Sequence, residues 1–159
     1  MNGAECLVKT LLNCGIEVCF TNPGTSEMHF LAALDSNAAM RSVLGLQEGV
    51  VTGAADGYAR MTGKPACTLL HCGPGLANGL SNLHNARRAK SPIVNIVGDH
   101  ATYHKKYNSP LTTDVEATAK PYTDWVKTAV SSDSVSFDGA KAVAEAKISW
   151  QDFYIDTTR

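Results

Sequence analysis

Ser42-Val-Leu-Gly-Leu46, Gln47 and Glu48-Gly-Val-Val-Thr-Gly-Ala-Ala-Asp-Gly-Tyr-Ala-Arg60 form the stretch whose reading decides the fold. A short apolar run ends at an acid, and small residues then recur as Gly49, Gly53, Ala54, Ala55, Gly57 and Ala59. Glycine costs about 1 kcal/mol per helical site relative to alanine. A helix this poor in bulk implies close approach to something flat, either another backbone or a ligand. Glu48 falls where the strand stops and the helix starts, the usual address of ligand chemistry in an open α/β sheet. An acid in a first helical turn also complements the helix dipole with no chemistry attached. The apolar company of Leu46, Val50 and Val51 points towards a buried carboxyl.

The flanking sequence repeats this strand-to-helix pattern. Asn2 to Asn13 carries Leu7, Leu11 and Leu12 on one stripe, with Gly15 as the stop. Ile16 to Phe20 is β-prone; Thr21-Asn-Pro-Gly-Thr-Ser26 is a turn, and Ser26 is placed to cap a helix from Glu27 to Leu34 whose first turn also carries an acid. Beyond Glu48, Gly63 and Pro65 end the small-residue helix. Ala66 to Leu70 is a further strand running into His71-Cys-Gly-Pro-Gly75, followed by a helix from Leu76 to Lys90. Ile93-Val-Asn-Ile-Val97 is the clearest strand of all. Residues 101–123 read as a long loop or short helices, Trp125 to Val130 as a strand, Asp138 to Lys147 as a helix, and Phe153-Tyr-Ile155 as a last strand. Alternation at these lengths predicts an α/β fold: a three-layer domain with a central parallel sheet flanked by helices.

Composition narrows the function classes. The 159 residues suit one domain with a real core. A formal net charge of −1, with Arg87-Arg88 and Lys105-Lys106 only as pairs, argues against a nucleic-acid-binding surface. No run approaches the roughly 18 apolar residues of a membrane span. No charged-then-apolar leader opens the chain, so the expectation is a cytoplasmic protein. The five cysteines include two Cys-x4-Cys pairs, Cys14/Cys19 and Cys67/Cys72. Cys19 and Cys67 fall inside expected strands, where a free thiol packs as a small hydrophobe, so no metal site is expected from them.

Asn22-Pro-Gly-Thr25, Glu48 with Ala54-Ala-Asp-Gly-Tyr-Ala-Arg60, Thr62-Gly63, Gly73-Pro-Gly75 with Asn78, and Ser91-Pro92 leading to Gly98-Asp99 are individually weak signals. In this order and spacing, the chain resembles the N-terminal pyrimidine-binding domain of thiamine diphosphate-dependent enzymes, in the acetolactate synthase and benzoylformate decarboxylase group. The resemblance runs through about residue 146. It implies that Glu48 hydrogen-bonds the aminopyrimidine ring and shares a proton with a ring nitrogen, favouring the imino tautomer that activates the cofactor for attack on a 2-oxo acid. It also implies that Pro23, Gly24, Thr25, Gly73, Pro74, Gly75 and Asn78 line the cofactor site.

His71 resembles the histidine of benzoylformate decarboxylase-like members that binds the 2-oxo acid and transfers protons. Acetolactate synthases differ here, so His71 leans towards a decarboxylase or lyase. The bland alternative is a histidine closing a strand against a loop carbonyl. Thr25 and the glycines have plain turn roles as their alternatives.

Full-length members carry a second α/β domain that grips the diphosphate through Mg²⁺ by a Gly-Asp-Gly stretch followed by an Asn-rich segment. Neither is found here, and the tail from Lys147 departs from the expected link and final strand. The expectation is half a cofactor site, completed by a diphosphate-binding domain or subunit of the same family in a dimer or higher oligomer. Two alternatives stand beside it. One is a truncated, non-catalytic copy of such an enzyme. The other is a nucleotide-binding module using Gly73-Pro-Gly75 at a helix N-terminus, against which the lack of a Gly-x-Gly-x-x-Gly pattern counts.

Overall fold

The computed structural model describes residues 1–149 and, as backbone, 151–156; side chains are described through residue 148. Six parallel strands form one sheet: β1 (Val18–Asn22), β2 (Arg41–Leu44), β3 (Ala66–His71), β4 (Ile93–Gly98), β5 (Trp125–Ala129) and β6 (Gln151–Asp156). Their order is β2-β1-β3-β4-β6-β5. The helices are α1 (Gly3–Asn13), α2 (Met28–Asp35), α3 (Glu48–Thr62), α4 (Cys72–Ala89), α5 (Val115–Ala119) and α6 (Val135–Ser149). This is the expected three-layer α/β arrangement.

Side-chain alternation along the strands divides the core in two. Cys19, Cys67, Leu69, Val94 and Ile96 face a cluster with Leu7, Leu11, Phe30, Val143 and Ala146 from α1, α2 and α6. On the opposite face, Leu70 and Val97 meet Val51, Leu76, Leu83 and Val115 from α3, α4 and α5. One polar pair lies within this second layer: Thr68 Oγ1 donates to Asn95 Oδ1 at 2.8 Å, from residues directly opposite in the β3–β4 ladder. Cys19 and Cys67 are likewise opposite each other, both fully buried and free. Burial, reinforced by Cys19, pushes the Cys67 thiol well above the ordinary thiol range.

Several boundaries differ from the sequence-based expectation for local reasons. β1 begins at Val18 rather than Ile16, because the Ile16 amide donates back to Leu11 O and completes the α1 terminus around Gly15 at φ 90°. β2 stops at Leu44, and Leu46 lies outside it, 89% exposed. α4 begins at Cys72 rather than Leu76: Pro74 lies in the first turn, where a missing N–H leaves no helical bond unmade. The final strand extends the expected Phe153–Ile155 segment and lies between β4 and β5.

The connection that crosses the sheet positions the site. From β1 the chain passes through α2 to β2 on one side, then returns over the other face through α3 to β3, on the far side of β1. The strand order thus reverses between β1 and β3, opening a crevice beyond their carboxyl ends. Residues 23–25 follow β1 and residues 71–75 close β3, so both segments border it.

The small residues of α3 are explained by α4. Thr52 Oγ1 lies 3.1 Å from Gly79 O and 3.0 Å from its own turn's Glu48 O, and Asn82 Nδ2 donates to Gly49 O at 2.6 Å. A Cβ on Gly79 would stand 2.9 Å from Thr52 Cγ2, whereas one on Gly57 would meet nothing within 4 Å. Behind this contact, Asp56 takes a bidentate pair from Arg60 and a hydrogen bond from Ser91 Oγ, tying α3 to the start of β4. The two glycines predict opposite outcomes. Gly57→Ala should stabilise the fold by about 0.5–1 kcal/mol through helix propensity. Gly79→Ala should destabilise it by about 1–2 kcal/mol, overpacking outweighing the same propensity gain. Thermal unfolding of the two variants checks this; equal shifts would contradict the close contact.

Candidate functional site

Glu48 is the first residue of α3 and is buried, 8% exposed. Gln47 caps the helix by accepting from Val50 N through its own side chain, so the amide at that turn is satisfied without Glu48. Glu48 instead turns towards α4, where Asn78 Nδ2 donates to Oε2 at 3.0 Å. No described residue donates to Oε1. The expected apolar company is only partly present: Val51 is buried, but Val50 is 61% exposed and Leu46 is almost wholly so. What buries Glu48 is the neighbouring helix rather than its own flanking hydrophobes.

Gly75 brings Glu48 and His71 together. A Cβ there would lie 3.1 Å from Glu48 Oε1 and 3.4 Å from His71 Cβ, so glycine keeps the space between the two side chains clear. His71 ends β3 and immediately precedes α4. Its Nδ1 lies 2.9 Å from Glu27 Oε2, and the ring rests on the α-carbon of Gly24, where any Cβ would come within 2.4 Å of it. Gly24 N–H also donates to Glu27 Oε2 at 2.7 Å. The turn after β1 therefore grips the histidine from two sides.

The other expected site residues are placed as follows. Pro23 and Gly24 are half-buried and Thr25 is exposed, all at the carboxyl end of β1. Gly73 and Pro74 form the first turn of α4 with Gly75. Gly73 faces the long loop, whose Thr113 would meet a Cβ at 2.3–2.4 Å, so loop packing accounts for that glycine. His100, in the same loop region, has its Nε2 2.8 Å from Ser109 Oγ.

Sequence reasoning took Glu27 as a first-turn acid and missed its role at the site. It is 1% exposed, pairs with His71, and leaves Oε1 without a partner. Gly98, at the end of β4, makes room for it: a Cβ there would fall 1.6 Å from Glu27 Oε1. The available signal was a strand that ends in glycine directly opposite His71 in the ladder, which implies a bulky neighbour above it. Cys72 was weighed only as half of a Cys-x4-Cys pair with Cys67; its Sγ lies 3.2 Å from Ser26 Oγ and 3.7 Å from His71 Nδ1.

An aminopyrimidine ring needs a carboxylate facing unobstructed space at a helix start. Glu48, with Oε1 undonated and Gly75 beneath it, fits that requirement. Comparisons with known proteins identify the family. The family model described as the thiamine pyrophosphate enzyme N-terminal TPP binding domain matches residues 1–121. The chain is 58% identical over 147 residues to IlvX of Mycobacterium tuberculosis, which is named for an acetolactate synthase large subunit; the match covers 92% of this chain and 28% of that one. It is 42% identical over 84 residues to the benzoylformate decarboxylase of Pseudomonas aeruginosa, 53% of this chain and 16% of that one. Among solved structures, the thiamine diphosphate-dependent 4-hydroxybenzoylformate decarboxylase of Rhodococcus jostii RHA1 superposes with a TM-score of 0.91 at 27% identity, covering 98% of this chain and 30% of that one. The chain thus spans less than a third of the length of these relatives. Fold, crevice and family match agree that the chain belongs to the thiamine pyrophosphate enzymes as an N-terminal TPP-binding domain.

Proposed function

We propose that this domain holds the aminopyrimidine half of thiamine diphosphate in an enzyme acting on 2-oxo acids, either a decarboxylase or an acetolactate synthase-like carboligase. The observation that carries the reading is the Glu48 carboxylate, buried at the switch point with one oxygen anchored by Asn78 and the other facing the cleared ground over Gly75. When bound, the cofactor supplies a nucleophilic thiazolium carbon and an electron sink for the substrate carbons. Glu48 exchanges a proton with the pyrimidine ring nitrogen. Asn78 fixes the carboxylate, and Pro23, Gly24, Thr25, Gly73, Pro74 and Gly75 border the ring's seat.

His71 is assigned as the substrate-side acid/base. Glu27 occupies its Nδ1 and so leaves Nε2 as the nitrogen for proton exchange. This arrangement, and the likeness to benzoylformate decarboxylases, favours decarboxylation over carboligation. Glu48 and His71 both border the open space over Gly75, which suits one carboxylate serving the cofactor and one imidazole serving the substrate.

The diphosphate and its Mg²⁺ are assigned to a diphosphate-binding domain of a partner chain or of the same enzyme. Leu44, Leu46 and Val50 support this, since all three are exposed beside Glu48 and offer an apolar rim for a second domain to cover. No described helix is long and apolar enough to cross a membrane.

Two substitutions test the assignment in the assembled enzyme. Glu48→Gln keeps the shape and the acceptor for Asn78 but removes the exchangeable proton. Turnover should fall by about 10²-fold or more with the fold unchanged; wild-type turnover would remove Glu48 from the role. His71→Ala should lower the decarboxylation rate by about 10²–10⁴-fold while thiamine diphosphate affinity stays within a few-fold. Lost affinity at an unchanged rate would make His71 structural.

A further inference from the structure

We propose that Glu27, His71 and Cys72 form a binding site for a soft divalent cation of the zinc class. One ligand atom from each lies within 4.8 Å of the other two. Carboxylate, imidazole and thiolate are the donors such an ion takes, at bond lengths of about 2.0–2.3 Å in a tetrahedral shell. Those lengths require ligand–ligand edges of about 3.3–3.7 Å. His71 Nδ1 and Cys72 Sγ already stand 3.7 Å apart. His71 Nδ1 and Glu27 Oε2, now at hydrogen-bond distance of 2.9 Å, need to separate by about 0.4 Å.

A second observation points to a cation. The Glu27 side chain is 1% exposed, yet its Oε1 has no hydrogen-bond partner among the described residues and its Oε2 is held by Gly24 N–H and His71. A carboxylate buried away from water carries a desolvation cost that a cation at Oε2 offsets through its charge, with Oε1 remaining against Gly98. The charges close: one divalent cation, one carboxylate and one thiolate sum to zero around a neutral imidazole. On binding, the thiol proton leaves to solvent and the imidazole carries its proton on Nε2, freeing Nδ1 for the metal and withholding His71 from the acid/base role proposed above, so the cation-loaded form is the inactive one. Ser26 Oγ, 3.2 Å from Cys72 Sγ, is positioned to donate to the thiolate. His71 is 22% exposed, which gives an ion an entry path and leaves the fourth coordination position to water.

The Cys-x4-Cys spacing plays no part, since Cys67 is fully buried beside Cys19 and has no access to solvent. The site also stands apart from the diphosphate-bound Mg²⁺ assigned to the partner domain, because a thiolate and an imidazole select a softer ion than Mg²⁺.

Cobalt titration of the purified, chelator-treated protein tests the site without reference to turnover. Co²⁺ should give the intense visible absorption of a four-coordinate ion with a near-ultraviolet thiolate charge-transfer band, and zinc should displace it one for one. Cys72→Ser should abolish the charge-transfer band, and Cys6→Ser with Cys14→Ser, which removes the two partly exposed thiols, should leave it intact. Glu27→Gln, which retains every cysteine and the imidazole, should weaken cobalt affinity tenfold or more. No charge-transfer band in the wild-type protein, a band that survives Cys72→Ser, or an unchanged affinity in Glu27→Gln overturns the proposal.

Discussion

The contact on which the site depends is the close approach of α3 and α4. The helices come this near because a glycine of one lies opposite a side chain of the other: Gly79 faces Thr52, and Gly53 faces Asn82. Polar groups then fasten the seam: Thr52 reaches a carbonyl of the opposing helix and Asn82 donates to one of α3. Each such bond is worth about 1 kcal/mol net; their larger effect is to leave one register in which the helices fit. That register sets Asn78 against the first residue of α3 and brings Gly75 under its carboxylate. The weak helix propensity of α3 is therefore the cost of placing an acid against a neighbouring helix rather than in water.

A second constraint acts through the sheet. Because the chain leaves β1 for one edge and comes back over the opposite face to β3, the turn after β1 and the start of α4 flank a single crevice. Glu27, from the first, and His71, from the second, meet there across adjacent strands. Gly24 and Gly98 complete the fit by removing side chains where the imidazole and the carboxylate pass. Buried polar groups are costly unless partnered, so the Glu27–His71 pair and the Asp56–Arg60–Ser91 cluster mark places where the fold was built around function or around the seam that supports it.

Much of this was legible in the sequence, for identifiable reasons. Alternating apolar runs and helical stripes report burial directly, and so the parallel sheet, its flanking helices and the special position of Glu48 could be read from residues alone. Boundaries were harder where a capping motif competes with periodicity: Ile16 looks like strand but closes α1, and Pro74 looks like a turn but belongs to a helix. Glu27 was hidden because its partner is 44 residues away, and a first-turn acid is indistinguishable by type from a dipole-complementing one. The surroundings of Glu48 were also misread. Leu46 and Val50 suggested an apolar pocket of local residues, whereas burial comes from α4 and those two side chains point outward.

The central claim is that Glu48 meets the aminopyrimidine ring, and a crystal structure of the assembled protein with thiamine diphosphate bound tests it most directly. The account predicts a Glu48 carboxylate oxygen within about 3 Å of a pyrimidine ring nitrogen, with Asn78 still on the other oxygen and the ring seated over Gly75. A cofactor bound elsewhere, with Glu48 touching Asn78 alone, would contradict it.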